Sequence, residues 1–496
     1  MRCRCIIFAA GAIALLGHPA QAQAQEQAQR ELLFEPHTFT SFDGRSHPAE
    51  LGRIQVPENR ARADSRQIQV AFVRLKSTAA RPAAPIVFLA GGPGVPGTAM
   101  ARVPVYFTLF ERLRAVGDVI LLDQRGLGLS TPDLLCKATA TPADAFASPR
   151  RWLEVYTQKS RACAVEWRQK GADIAGYTIG ASADDIEDMR RALNVPRVSL
   201  IGHSYGTSLA LTMIARHPDS IERAVLAAVE GPDDVLALAQ DWDASLSRIS
   251  AAAASFKGSA PEINLGQLFR QALARLRQQP ALVTIKDAVI GQPKAIIVGP
   301  IGLQWLVRHS MNDARNYPLF AALFQSVAAG DNSLLAGRIE PFFNGFQGRS
   351  PMANAVDCSR GWSPERAAMA RQSARNAAFD NVNLQWEGAI CSEIGVTRGN
   401  PSLLSRPSGD MPVLFLSGSL DGNTPPHQAE YVRWGFPRST HVVVENSGHE
   451  MLPDRAVQAI VVDFFAGGDV SGRMAKFSPP AFMSVEEAGR ASRNAR

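Results

Sequence analysis

The stretch VSLIGHSYGTSLALTMIARHP, residues 198–218, constrains the fold of this chain more than any other. It reads as a buried strand, a tight turn and a helix in immediate succession. The pattern Gly-x-Ser-x-Gly at its centre is weak evidence alone, because so short a motif recurs by chance. Its flanks make it stronger. Side chains at 202 and 206 would clash with the neighbouring strand and helix, so both positions are glycine. Ser204 is thereby presented above a sheet at a helix N-terminus.

Other runs repeat the design. APIVFLAGGPG (84–94), GDVILLDQRGLGLS (117–130), IERAVLAAVEGP (221–232), MPVLFLSGSLDG (411–422) and THVVVENSGHE (440–450) are short apolar runs closed by glycine. Residues 50–76 form two alternating runs around a polar bend, a predicted hairpin. A helix is predicted over 181–195, with Ser182 as its N-cap and Asp185 three residues on. Such strands alternating with helices predict an α/β fold, a mostly parallel central sheet with helices on both faces. Binding groups in such sheets gather beyond the carboxyl ends of the strands.

Between 232 and 410 the pattern becomes mostly helical, and the strand design resumes only afterwards. This predicts a core of residues 25–231 and 411–496, interrupted by a helical lid insertion at 232–410. Residues 25–35 read as a solvated, Gln-rich stretch. Before them, Arg2, Arg4, an apolar run from Ile6 to Gly17 and Ala-x-Ala sites make residues 1–24 a secretory signal peptide. That run is too short to span a bilayer, so no integral membrane segment is expected after cleavage.

Export shapes the cysteine reading. Cleavage removes Cys3 and Cys5 and leaves Cys136, Cys163, Cys358 and Cys391. Four cysteines in an oxidising compartment suggest two disulfides. Three pairings are open, and sequence proximity favours Cys136–Cys163 with Cys358–Cys391. No spacing suggests a metal site, and no cofactor is expected. The formal charge of +6 is unclustered, so nucleic acid is not an expected partner.

A serine hydroxyl needs a base, an acid to orient that base, and donors for the developing oxyanion. The base should follow the last strand. His449 in ENSGHEMLP does so within a short glycine-containing loop, unlike His37, His47, His203, His217, His309, His427 and His441. The acid should end the preceding strand. Asp421 fits, whereas Asp410 lies before that strand. The order Ser204, Asp421, His449 is nucleophile, acid, base. One oxyanion donor is expected from the backbone N–H of Tyr205. The second is expected from Gly91 or Gly92, since Pro93 has no N–H; Gly92 is favoured because its lack of a side chain lets a substrate carbonyl approach closely.

GGPG (91–94), DQRGLGLS (123–130), GHSYGTSLA (202–210), GSLDGNTPP (418–426) and GHE (448–450) together resemble the α/β-hydrolase serine peptidases, in particular proline iminopeptidases and the secreted tripeptidyl aminopeptidase-like branch. The ordered motifs span about residues 50–460. SYGT, the leader and the four cysteines are similar to the secreted branch. Two departures stand out: Ala90 where iminopeptidases usually have His, and Gly-His-Ser-Tyr-Gly for their usual Gly-Gly-Ser-Trp-Gly. The resemblance implies an exopeptidase whose acidic groups hold the free α-amine of a peptide. Glu230 is the first candidate for that role; Asp241, Asp243 and Glu387 are weaker ones. Asp123 and Arg125 are read as structural, paired with one another or with loop carbonyls.

Three functions fit these residues. One is a periplasmic or secreted serine hydrolase releasing residues from peptide N-termini. The second is an esterase or amide hydrolase acting on a small molecule with the same residues, since ester and amide hydrolysis need the same groups. The third is a lidded binding protein without turnover. Oligomeric state is left open.

Overall fold

The structure is a computed structural model that describes residues 32, 34–255, 263–347, 352–387, 390–397, 399 and 401–494. The expected signal peptide, with Cys3 and Cys5, lies outside the described residues.

The strands are β1 (Phe34–Thr40), β2 (Ser46–Pro57), β3 (Gln67–Leu75), β4 (Ala83–Leu89), β5 (Gly117–Asp123), β6 (Val198–His203), β7 (Ile221–Ala227), β8 (Ala281–Lys286), β9 (Pro293–Val298), β10 (Val413–Gly418) and β11 (Ser439–Val444). Nine form one sheet in the order β1-β2-β3-β5-β4-β6-β7-β10-β11. The run from β5 to β11 is parallel. β1, β2 and β3 extend it antiparallel, β2 and β3 being the predicted hairpin. β1 begins at Phe34, inside the stretch read as solvated; pairing with β2 recruits it to the sheet.

The parallel strands are apolar throughout because both faces are covered. In β5, Val119 and Leu121 enter one apolar cluster while Ile120 and Leu122 enter the other, the alternation of a pleated strand. The first cluster is closed by α1 (Pro104–Leu113) and the helix Arg455–Phe465. The second is closed by α2 (Ile179–Ala192) and α3 (Tyr205–Arg216).

One local expectation is corrected, and a second is met in one of its two forms. The N-cap of α2 is Thr178, whose side chain accepts from the Ala181 N–H; Ser182 is buried inside the first turn. Asp185 is not a capping residue but a buried partner of Arg125, with Nη2–Oδ1 at 2.6 Å. Of the two arrangements expected for Asp123 and Arg125, Arg125 takes the one with loop carbonyls rather than pairing with Asp123. Arg125 Nη1 donates to the Glu58 and Gly176 carbonyls, while Asp123 accepts from the Thr98 and Leu129 N–H groups. The two charges thus fasten different segments beneath the strand end.

Between β7 and β10 lie helices that include α4 (Ala239–Ala254), Leu265–Gln278, Pro300–Ser310, Phe320–Ala328 and α5 (Met352–Arg360), together with a two-stranded β8–β9 hairpin that the helical pattern did not announce. The hairpin alternates buried Ala281, Val283 and Ile285 with exposed partners, and the buried residues join the core of the insertion. That core also takes in Leu127, Phe146, Trp152, Trp167 and Tyr177, from before β6. Trp152 stacks on Tyr156 and on Trp305, each at 4.8 Å. The segment from 127 to 177 therefore packs with the insertion, although it precedes β6 in sequence. Cys136 pairs with Cys163 and Cys358 with Cys391. Among the described residues, no helix is long and apolar enough to cross a membrane.

Candidate active site

Ser204 sits on the turn between β6 and α3 with φ 55° and ψ −127°, a left-handed conformation that costs a non-glycine residue about 1–3 kcal/mol. The surroundings over-determine it. A Cβ on Gly206 would overlap the Leu89 carbonyl of β4, and one on Gly202 would meet the Gly206 carbonyl at 2.6 Å. The Ser204 N–H donates to the Ala227 carbonyl at 3.0 Å. Tyr205 opens α3, where first-turn amides have no intrahelical acceptor.

Gly91 packs on the turn, its Cβ position 3.1 Å from the Ser204 Cβ. Gly92 has φ 122°, and both glycines line the cavity above Ser204.

Asp421 and His449 are brought together from the ends of β10 and β11. His449 Nδ1 donates to Asp421 Oδ2 at 2.9 Å, and Thr424 Oγ1 donates to the same oxygen at 2.6 Å. The Asn423 N–H donates to Asp421 Oδ1 at 2.8 Å. Burial pushes the Asp421 carboxyl up, but the His449 charge and these donors hold it below its ordinary value. Burial pushes the His449 imidazole down, but Asp421 first, then Glu450 and Glu230, hold it above its ordinary value. Ser204 and His449 line the same cavity, and Asn423 Nδ2 lies 3.4 Å from His449 Nε2; a nucleophile–base hydrogen bond commonly tightens only with substrate in place. An imidazole oriented by a buried carboxylate, beside a hydroxyl at a helix N-terminus, is a set able to activate that hydroxyl for attack.

The insertion braces both loops. Ser245 Oγ and Arg248 Nη2, both on α4, donate to the carbonyls of Leu420 at 2.6 Å and Asp421 at 2.9 Å. The Glu450 N–H donates to the Asn312 carbonyl at 2.9 Å. Gly448 lies so close to the Tyr317 hydroxyl that a Cβ would overlap it.

The cavity holds about 640 Å³. Glu230, Asp234, Asp357 and Glu450 bring carboxylates to it, and Tyr156, Trp242, Trp305 and Trp386 bring aromatic rings. Glu230 is already engaged: its Oε1 accepts from Arg360 Nη1 at 2.6 Å, and the same guanidinium lies 3.3 Å from Asp357 Oδ1. Burial would push Arg360 down, but those two carboxylates keep it firmly charged. Two carboxylates on one guanidinium leave one net negative charge. Asp234 pairs with Arg366 at 2.8 Å.

The weaker candidates fall elsewhere. Asp241 lies 3.8 Å from His427, Asp243 accepts from the Ala378 N–H and pairs with Arg270, and Glu387 borders an open groove. None of the three lines the cavity. His203 does line it, and its Nε2 donates to the His449 carbonyl at 3.2 Å. Asp234, Asp357 and Glu450 were missed in the sequence. Only Glu450 had a signal there, its place beside His449 in GHE.

Among the described residues, no group of His, Cys, Asp and Glu side chains is arranged to hold a metal ion.

Comparison with known proteins agrees with this architecture. A tripeptidyl aminopeptidase of Streptomyces coelicolor is 23% identical over 430 residues, covering 81% of this chain and 77% of that protein. A putative hydrolase, YuaR, of Escherichia coli is 24% identical over 389 residues, covering 72% of each. A proline iminopeptidase of Arabidopsis thaliana is 30% identical over 142 residues, 29% of this chain and 26% of that one. The family described as having the alpha/beta hydrolase fold matches residues 84–456. With the strand-turn-helix at Ser204 inside that match, the chain belongs to the α/β-hydrolase fold family.

Proposed function

We propose that this protein is an exported serine exopeptidase that releases residues from the free N-termini of peptides. The observation that carries the reading is the cavity: Ser204 and His449, the latter paired with Asp421, line a space where the carboxylates of Glu230, Asp234, Asp357 and Glu450 outnumber the guanidiniums of Arg308, Arg360 and Arg366 that line it or pair with them. A site built for neutral esters has no need of that charge, whereas a peptide ammonium does. The relatives named tripeptidyl aminopeptidase and proline iminopeptidase support the same direction.

In this reading the Ser204 Oγ attacks the scissile carbonyl carbon while His449 Nε2 takes its proton. The tetrahedral oxyanion is stabilised by the N–H groups of Tyr205 and Gly92. His449 then gives the proton to the leaving amine as the C–N bond breaks, leaving an acyl-enzyme on Ser204. Water, deprotonated by His449, releases the acyl part and restores the serine. Asp421 holds the imidazole tautomer and stabilises the imidazolium. The Glu230–Arg360–Asp357 trio, with its net negative charge, anchors the α-ammonium. The leader and two disulfides fit an oxidising compartment, periplasmic or outside the cell.

The test is a set of peptidyl arylamides with free or acetylated N-termini. A charged hydrogen bond is worth about 1.5–3 kcal/mol, so acetylation should lower kcat/KM by about a hundredfold. Equal turnover of blocked and free substrates would sink the peptidase reading in favour of a hydrolase of small esters or amides.

A further inference from the structure

Phe42 sits on the turn between β1 and β2 and is 61% exposed, yet it lines the same cavity as Ser204. A single exposed aromatic is ordinary on a protein surface, but this one faces the cavity from a turn that is tied down. This turn is rigid. The Phe42 N–H donates to the Arg102 carbonyl at 2.8 Å, and the buried Ser41 hydroxyl donates to the same oxygen at 2.9 Å. Arg102 Nε donates to the Thr40 carbonyl at 3.0 Å, and its guanidinium lies 4.5 Å from the centre of the Phe42 ring. Val95, Met100 and Val103 extend the apolar wall beside the ring.

The segments that line the cavity come from both faces of the sheet. Met100 and Val103 pack on the face covered by α1, the face that also holds Met451 and Leu452 of the His449 loop. Glu230 follows Val229, and Asp357 and Arg360 share α5 with Val356. Val229 and Val356 pack on the face covered by α2 and α3. A peptide with its ammonium at the Glu230–Asp357 end therefore crosses the sheet edge at Ser204. It leaves on the side of His449, the group that must protonate the departing amine.

We propose that Phe42 determines specificity for the leaving part of the substrate: its ring, with Val95, Met100 and Val103, receives the first residue after the cleaved bond and selects an aromatic or large aliphatic side chain. This rests on the peptidase reading and adds a second recognition element to it, on the opposite side of the cleaved bond. Its position explains why the turn that brings an aromatic ring to the cavity is tied to Arg102 by three hydrogen bonds. It also gives the β1–β2 hairpin a role beyond extending the sheet.

The experiment uses free-amine peptides that share their N-terminal residues and carry Phe, Leu, Ser or Asp after the bond that mass spectrometry shows to be cut. Wild-type kcat/KM should favour Phe and Leu over Ser and Asp by about tenfold, the upper range for one aromatic contact. Phe42→Ala should collapse that ratio towards one, and Phe42→Tyr should restore it. An unchanged ratio in Phe42→Ala, or no preference in the wild type, overturns the proposal and leaves the peptidase reading standing. A wild type that cuts no free-amine peptide but hydrolyses simple esters overturns both.

Discussion

Two regions meet over Ser204, and they are built by different forces. Below is the sheet, where short runs of Val, Ile and Leu pack on both faces and backbone sterics set the geometry. Above is the insertion, whose core mixes aliphatic side chains with many aromatic rings and which holds the ion pairs of Arg360 and Arg366 and the Cys358–Cys391 disulfide. The contrast carries into the site itself. Ser204 is positioned by the chain next to it, through glycines that admit no side chain. Asp421 and His449 are positioned in part from the insertion, by Ser245, Arg248 and Asn312. Side chains of the insertion thus line the candidate site and hold its loops.

The sheet side should be the less forgiving. Gly206→Ala drives a methyl group into the Leu89 carbonyl and forces β4 away from β6. Overpacking of this kind costs about 1–3 kcal/mol or more, and displacing the reacting hydroxyl by about 1 Å costs on the order of a hundredfold in rate. Thermal unfolding and labelling by a fluorophosphonate should fall together. If the variant labels at the wild-type rate, steric control of Ser204 is wrong.

The insertion side should fail more softly. Arg248→Met removes the donor to the Asp421 carbonyl but leaves the β6–α3 turn untouched. We expect kcat to drop by about tenfold with KM nearly unchanged, as for a displaced orienting group, and Arg248→Lys to recover part of it. A change confined to KM would mean that α4 shapes the cavity without holding the acid.

The smallest effect separates charge from geometry. Glu450 supports a raised His449 pKa, so at low pH the imidazolium persists and the base is lost. Glu450→Gln removes that negative charge, favours the neutral imidazole, and should move the acid limb of the kcat/KM profile to lower pH. A limb that stays in place would show that Glu450 has no part in setting the His449 titration.

Much of this was legible in the chain because its signals are local. Glycines two residues either side of Ser204, the glycine-closed apolar runs, and the order of Asp421 before His449 all act over a few residues or through strand order. The disulfide pairing followed from proximity along the chain, with separations of 27 and 33 residues. The α2 cap was misread for the opposite reason. Ser182 and Asp185 have the spacing of a capping box, but Arg125, 60 residues away, claims the carboxylate and buries it.

The amino-acid sequence by itself determined the parallel strands and the β2–β3 hairpin, the strained turn that presents Ser204, and the loops that carry Asp421 and His449, since each follows from sterics and polarity within short segments. Only the tertiary structure decided which charges face one another. It placed Arg360 on Glu230 across 130 residues, drew the segment from 127 to 177 into the insertion, and brought Asp234, Asp357, Glu450 and Phe42 to one cavity. Those contacts are set by how whole layers pack, and a pairing between distant residues leaves no period or spacing in the chain that would announce it.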